Sequence, residues 1–256
     1  RGVFAGDGGC GAGADVCRIP EPLLLTEDVA LASLPCGEAL RSAAEQVQPQ
    51  AVGLVLLAAH LLWDGALRVL GGKCGEDGPF FGPFYASLTS DLAHLPLLWP
   101  QDGPAYQRLR GTRFERLVKA RRHALGLEFA LVQSCAPELG ATWEEYLWAR
   151  GTVSSRAFSL RVGGRAQRCL VPWADLLNHG GPGGANVGYT VVGGEGAEGG
   201  GFQMRVGAEP VAPDAELVHC YGAAKSNATL LLEYGFVTTT SAASEPQATL
   251  TVRPAG

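Results

Sequence analysis

An α+β fold, a shell of short strands interrupted by a block of helices, is predicted by three stretches of different texture. Residues 1–35 are short apolar runs cut by glycine and proline, such as Val3-Phe4-Ala5 and Leu23-Leu24-Leu25, which read as strands and turns. Residues 38–150 carry helical periodicity. Residues 152–256 return to strand candidates and glycine-rich turns.

Within the helical block, one helix is expected through Ala51–Leu70, stopping at Gly71-Gly72. Its first part, Ala51 to Trp63, is apolar except for Gly53 and His60. Thirteen residues rise about 20 Å, short of a ~30 Å bilayer core, so a buried helix is expected. A second helix is expected over roughly Pro104–Cys135. A third begins at Thr142, where Thr142-x-x-Glu145 makes a capping box before Tyr146-Leu147-Trp148. Farther on, Leu170-Val171-Pro172, Phe202–Val206 and Leu217-Val218 are strand candidates. Gly180–Gly201 is glycine-rich enough to be loop or hairpin, and a last helix runs from Ser226-Asn227 to Gly235.

Composition narrows the function. Of 256 residues, 46% are hydrophobic and 18% charged, as in a packed globule. The net charge of −5 argues against non-specific nucleic-acid binding. Seven scattered cysteines, none in a C-x-x-C pair, suit free thiols in a reducing compartment, chloroplast or cytoplasm and nucleus. The chain opens at Arg1 without a methionine or a cleavable signal, so it is expected to be an excised piece.

Several motifs invite a function and fail. Gly6-x-Gly8-x-x-Gly11 matches a dinucleotide fingerprint, and Gly9-x-Gly11-x-Gly13 a Rossmann methyltransferase loop. Both need a helix directly afterward, and Pro20 and Pro22 leave no room for one. No Gly-x-Ser-x-Gly elbow is present. His179, His219 and Cys220 lack metal-ligand spacing, so no metal site is expected. Gln107–His123 holds seven basic residues against Glu115 alone. It reads as a solvated helix face with Leu109, Phe114, Leu117 and Val118 turned inward.

Three segments carry chemistry jointly: Val153-Ser154-Ser155-Arg156-Ala157-Phe158-Ser159, just after the third helix; Leu170 to Asn178-His179; and Glu216-Leu217-Val218-His219-Cys220-Tyr221-Gly222, continued by Lys225-Ser226-Asn227 and Tyr234-Gly235-Phe236-Val237. Singly, an Asn-His or a Tyr-Gly is most often a cap or a strand end. In this order they resemble the SET-domain methyltransferases, and within them the branch of Rubisco large-subunit methyltransferase and its non-histone lysine methyltransferase relatives. Arg1-Gly2-Val3-Phe4-Ala5, Ile19 to Thr26 and Phe84-Tyr85-Ala86-Ser87-Leu88 match the same family.

The resemblance implies a SET fold of small curled sheets with a pseudoknot in which the Asn-His and Tyr-Gly segments lie side by side. It divides the chain into 1–37 and 151–240 as the two parts of the core, 38–150 as a helical insertion, and 241–256 as a strand, seen in Ala248–Arg253, leading to a C-terminal substrate-binding domain absent after Gly256. It implies S-adenosylmethionine as cofactor, held by Asn178, His179, Asp175, Leu176, Leu177, Arg156, Phe4, Tyr221, Tyr234, Gly235 and Phe236. It implies a lysine channel shaped by Ser155, Arg156, Asp175, Tyr189, Tyr221 and the backbone at His219, with Tyr221 where the methyl moves. The implied partner is a protein substrate, with no membrane or nucleic acid, and the chain is expected to be monomeric. A sister branch methylates histidine on actin, and a silent binding module is a third alternative. The Ser155–Ser159 run looks more like the lysine enzymes. Three departures stand out: Asp214-Ala215-Glu216 where Gly-Glu is usual, Gly180 where serine commonly follows Asn-His, and His219-Cys220 where apolar residues are more usual.

Overall fold

The computed structural model describes residues 2–72, 78–193 and 200–239. The expected strand in Ala248–Arg253 lies outside the described residues. Along the chain come β1 (Val3–Phe4), β2 (Asp15–Pro20), β3 (Leu25–Thr26), α1 (Glu27–Ser33), α2 (Gly37–Val47), α3 (Val52–Trp63), α4 (Ala66–Leu70), α5 (Gly82–Ser87), α6 (Pro104–Gln107), α7 (Arg113–Cys135) and α8 (Trp143–Arg156). There follow β4 (Phe158–Val162), β5 (Arg165–Leu170), β6 (Asn178–His179), α9 (Gly181–Gly184), β7 (Val187–Val192), β8 (Gly201–Val206), β9 (Glu216–His219) and α10 (Asn227–Tyr234).

Among the described residues the strands form three small sheets, ordered β1-β9-β6, β2-β8-β7 and β3-β5-β4. All pairings are antiparallel except β6 with β9. The glycine-rich stretch thus becomes a one-turn helix and a hairpin strand, β7 on β8. The glycines of residues 6–13 lie in a loop that leads directly into strand β2, not into a helix. One apolar core fills the sheet region around Phe202, Met204 and Leu217, and another fills the helical block around α3 and α8.

Local signals explain most helices and correct several expectations. α1 occupies residues expected as strand and turn. Thr26 caps it by accepting from the Val29 amide, and Glu27 and Asp28 favour its positive N-terminus. The expected Ala51–Leu70 helix is two. Gly65 sits at φ 80° and ψ 31°, a left-handed conformation open to glycine, and breaks α3 from α4. The expected Pro104–Cys135 helix is also two. Gly111 at φ 78° turns the chain, and Thr112 caps α7. On α7, Val118 is buried, but Leu117, expected inward, lies 100° around the helix and is exposed. α3 is buried nearly all round, as its composition foretold. No helix among the described residues is long and apolar enough to cross a membrane.

A buried ion pair ties α7 to α8. Arg150 Nε donates to Glu128 Oε2 at 2.6 Å and Nη2 to Oε1 at 3.2 Å, and the Tyr146 hydroxyl donates to Glu128 at 3.1 Å. Both charged side chains are 1% exposed. Such a pair adds little net stability over apolar packing, but removing one partner strands a buried charge. Glu128→Ala is therefore expected to cost about 3–5 kcal/mol, read as a lowered urea midpoint, with Arg41→Ala at a solvent-exposed ion pair within about 1 kcal/mol of the parent. An unchanged midpoint for Glu128→Ala would show that the pair is not tying the helices.

Candidate functional site

α8 delivers the first two site residues. Its capping box at Thr142 and Glu145 fixes the start, and the helix runs on through Arg156 before Ala157 turns into β4. Ser155 and Arg156 thus stand on the last helical turn, not in a segment after it. Ser155 Oγ donates to the Gly151 carbonyl at 2.8 Å, as a helical serine can. Arg156 Nη1 reaches across to Asp175 Oδ2 at 2.7 Å.

Asp175 is held in a 3₁₀ turn, Ala174–Leu176, entered through Trp173 at φ 71° and ψ −44°. That backbone costs roughly 1–3 kcal/mol in a non-glycine residue and is kept where the surroundings impose it. The Asp175 carboxylate is fully buried. Oδ2 has Arg156, but Oδ1 has no hydrogen-bond partner. Burial pushes its pKa above the ordinary carboxylate value, and Arg156 only partly offsets this.

The Asn-His segment is β6, pairing parallel with β9 in the register Asn178↔Val218 and His179↔His219. Asn186 stitches the pair further: its Nδ2 donates to the Glu216 carbonyl and its Oδ1 accepts from the Val218 amide, both at 2.8 Å. Gly180 is required by packing. A Cβ there would lie 2.6 Å from Val218 Cγ2 and 2.8 Å from the Gly184 carbonyl oxygen. Asn178 Nδ2 donates to Glu216 Oε1 at 2.6 Å.

Just past β9, the Tyr221 amide donates to His179 Nδ1 at 3.0 Å, which makes that nitrogen an acceptor and fixes the tautomer. The Tyr221 hydroxyl donates to the Leu177 carbonyl at 2.8 Å. Burial raises its pKa to about 12, so it stays protonated. α10, capped by Ser226, brings the Tyr234 ring to 4.9 Å from Tyr221. Gly235 at φ 77° then turns the chain so that Phe236 packs 5.6 Å from His179. A Cβ on Gly235 would meet His94 Cδ2 at 2.4 Å.

Two cavities, of about 250 and 200 Å³, share a wall made of Ser155, Arg156, Asp175, Tyr221 and Tyr234. The first adds Phe158, Tyr189 and His219 as an aromatic side, with Arg168, Cys220 and Lys225. The second adds Asn178, Leu176 and Phe236, with Ser87, Thr89, Leu92 and His94 from the region of α5. Of the expected residues, Tyr189 and His219 thus line only the first cavity and Leu176, Asn178 and Phe236 only the second. Leu177 is buried and acts through its carbonyl. His179 and Gly235 support the wall without lining either cavity, and Phe4 is 58% exposed on β1, also outside both linings. Sequence reasoning did not assign Phe158, Arg168, Cys220, Lys225, Thr89, Leu92 or His94 to the site. Ser87 lies inside the Phe84–Leu88 segment that had matched the family's insertion, the one available signal for that side.

The site's titrating groups are governed by burial. His219 is pushed down from 6.5 to about 4, first by burial and then by the neighbouring His179, while the Cys220 backbone pulls weakly the other way. As pH falls below 6.5 the unfolded chain takes up a proton that folded His219 does not, so stability is lost between pH 6.5 and about 4. The gap is worth about 3 kcal/mol. Urea melts at pH 7.5 and pH 4.5 should show a smaller acid loss for His219→Phe than for the parent chain. Equal losses in the two proteins would show that His219 does not titrate in this way.

No family model and no curated protein sequence matches the chain. Solved structures do. The SET domain of LSMT bound to lysine and AdoHcy matches at a TM-score of 0.71 and 21% identity, over 93% of this chain and 51% of that one. Rubisco LSMT bound to sinefungin and monomethyllysine matches at 0.66 and 20%, over 93% and 50%. Rubisco LSMT bound to AdoMet matches at 0.68 and 18%, over 92% and 49%. The chain spans about half the length of these chains, and across nearly all of its own length it has the SET-domain fold.

Proposed function

We propose that this chain is the core of an S-adenosylmethionine-dependent protein-lysine N-methyltransferase acting on a non-histone protein. The observation that carries the reading is that two neighbouring cavities share five lining residues, among them Tyr221, whose hydroxyl is fixed by the Leu177 carbonyl. The solved structures of this fold name AdoMet, AdoHcy, lysine and monomethyllysine as ligands of those proteins.

The residues of the second cavity fit the cofactor. The Asn178 amide, oriented by Glu216 Oε1, lines this cavity and is of the kind that suits a zwitterionic amino-acid end. Asp175, its buried carboxyl paired with Arg156, braces the wall of this cavity. Tyr221, Tyr234 and Phe236 give aromatic faces beside a positive charge. Bound there, the cofactor supplies a methyl group already activated by its sulfonium.

The chain's own residues then have an alignment task, a proximity effect. Phe158, Tyr189 and His219 wall the first cavity around an apolar stem. A lysine of ordinary pKa 10.4 costs about 4 kcal/mol to deprotonate at pH ~7.5. A desolvating channel lowers that cost, because burial disfavours the charged amine. The Tyr221 hydroxyl proton is committed to Leu177, so its oxygen can accept from an amine N–H. With a pKa of about 12 it positions the amine and does not act as a base.

Two substitutions test this reading. Asn178→Ala is expected to weaken S-adenosylmethionine binding by roughly 5- to 150-fold, the equivalent of ~1–3 kcal/mol for a lost polar partner. Its melting temperature should stay near the parent's, since Asn178 is exposed. Unchanged affinity in calorimetry would remove Asn178 from the cofactor site. Tyr221→Phe keeps the ring and deletes the hydroxyl. Single-turnover methyl transfer should fall ~10²–10³-fold, with cofactor affinity changed much less. A normal turnover rate, with only ~1 kcal/mol of stability lost, would leave Tyr221 as a packing residue.

A further inference from the structure

The first cavity, read as the entrance for a cationic side chain, is itself lined by cations. Arg156, Arg168 and Lys225 stand there against one carboxylate, Asp175. Two of the three are answered: Arg156 by Asp175 at 2.7 Å and Lys225 by Glu233 at 2.6 Å. Arg168 pairs with no carboxylate among the described residues. It is exposed on β5, between buried Gln167 and Cys169. Its Nη1 donates to the hydroxyl of Ser159, its cross-strand neighbour on β4, which lines the same cavity. A guanidinium has five N–H donors, so four are left for solvent or a guest. Glu27, which accepts from the Arg168 backbone amide at 2.6 Å, gives its carboxylate to Arg165. Burial raises the pKa of the Tyr234 hydroxyl in the wall, and Arg168 is among the cations that pull it back.

An unanswered positive charge at this place repels a lysine ammonium unless the substrate brings a negative charge with it. We propose, resting on the lysine-methyltransferase reading, that Arg168 selects target lysines with an acidic residue one or two positions away in the substrate chain. An extended chain advances about 3.3–3.6 Å per residue, so a carboxylate that close to the lysine arrives at the rim of the cavity. There it meets a planar fork of donors suited to two parallel hydrogen bonds. The long-range field points the other way, since a chain of net charge −5 attracts basic peptides. A preference for acidic flanks therefore reports a local cation and not the charge of the whole protein.

The test uses the 256-residue chain, methyl-deuterated S-adenosylmethionine and mass spectrometry of three competing peptide pools. Each peptide has a central lysine in an alanine, glycine and serine background. One of the two positions on either side carries glutamate, glutamine or arginine. The parent should label the glutamate pool about fivefold faster than the glutamine pool, the upper range for an ion pair in contact with solvent, and the arginine pool slowest. The preference should shrink in about 0.5 M salt, which screens such a pair. Arg168→Gln should level the glutamate and glutamine pools, and Arg168→Glu should place arginine first. Arg161→Gln, on the same face of β4 but outside the cavity lining, should keep the parent's order. Calorimetry with S-adenosylmethionine checks that each variant is folded. A parent that labels the three pools equally, or Arg168 variants that keep the parent's order, overturns the inference and leaves the enzyme reading intact. Should the Arg168 variants fail to bind cofactor, the parent's order at low and high salt decides alone. A parent that binds cofactor but labels no lysine overturns both.

Discussion

The parallel pairing of β6 with β9 is the constraint on which the site depends. Only two residues on each strand take part, yet they come from segments some forty residues apart. A parallel ladder of this length has few hydrogen bonds of its own. It is held by additions from outside the ladder: the Asn186 side chain bonded to the Glu216 carbonyl and the Val218 amide, the Gly180 amide on the His219 carbonyl at 3.0 Å, and the Tyr221 amide on His179. With the register fixed, the Tyr221 hydroxyl beyond β9 reaches back to the Leu177 carbonyl just before β6. A slip of one residue would turn Asn178 and His179 to the wrong faces and dissolve the partition between the cavities.

The second support is α8. Its interior is clamped by the Glu128–Arg150 pair, and its C-terminal turn carries Ser155 and Arg156. One rigid element thus connects the core of the helical block to the shared wall of the cavities. From Arg156 the connection passes to Asp175 and the strained turn at Trp173. Site residues set on a helix end and a braced turn lose little freedom when a ligand arrives, which suits a reaction that asks for alignment.

Desolvation gives the site its chemical character. Asp175, His219 and Tyr221 are each shifted toward the neutral form by burial. Burial of this kind disfavours the charged form of any group it encloses. Two buried polar atoms of these residues, Asp175 Oδ1 and His219 Nδ1, have no hydrogen-bond partner among the described residues.

Much of this was legible in the sequence, because it is written in local chemistry. The capping box at Thr142, the Ser226 cap and Gly235 stop of α10, and the uniformly apolar α3 act within one or two helical turns. The ordered run of Ser155-Arg156, Asn178-His179 and Tyr221 pointed to the SET fold. Single positive-φ glycines at 65 and 111 were misjudged, since a glycine inside a periodic pattern reads the same whether it bends or continues the helix. Tertiary structure alone decided which side of the partition each residue faces, that Phe4 stays outside both cavities, and that Arg168, Lys225 and His94 join the site. It also decided that His219 is buried, stacked on Phe158. Those outcomes depend on desolvation and packing between segments distant in sequence, which no local pattern records.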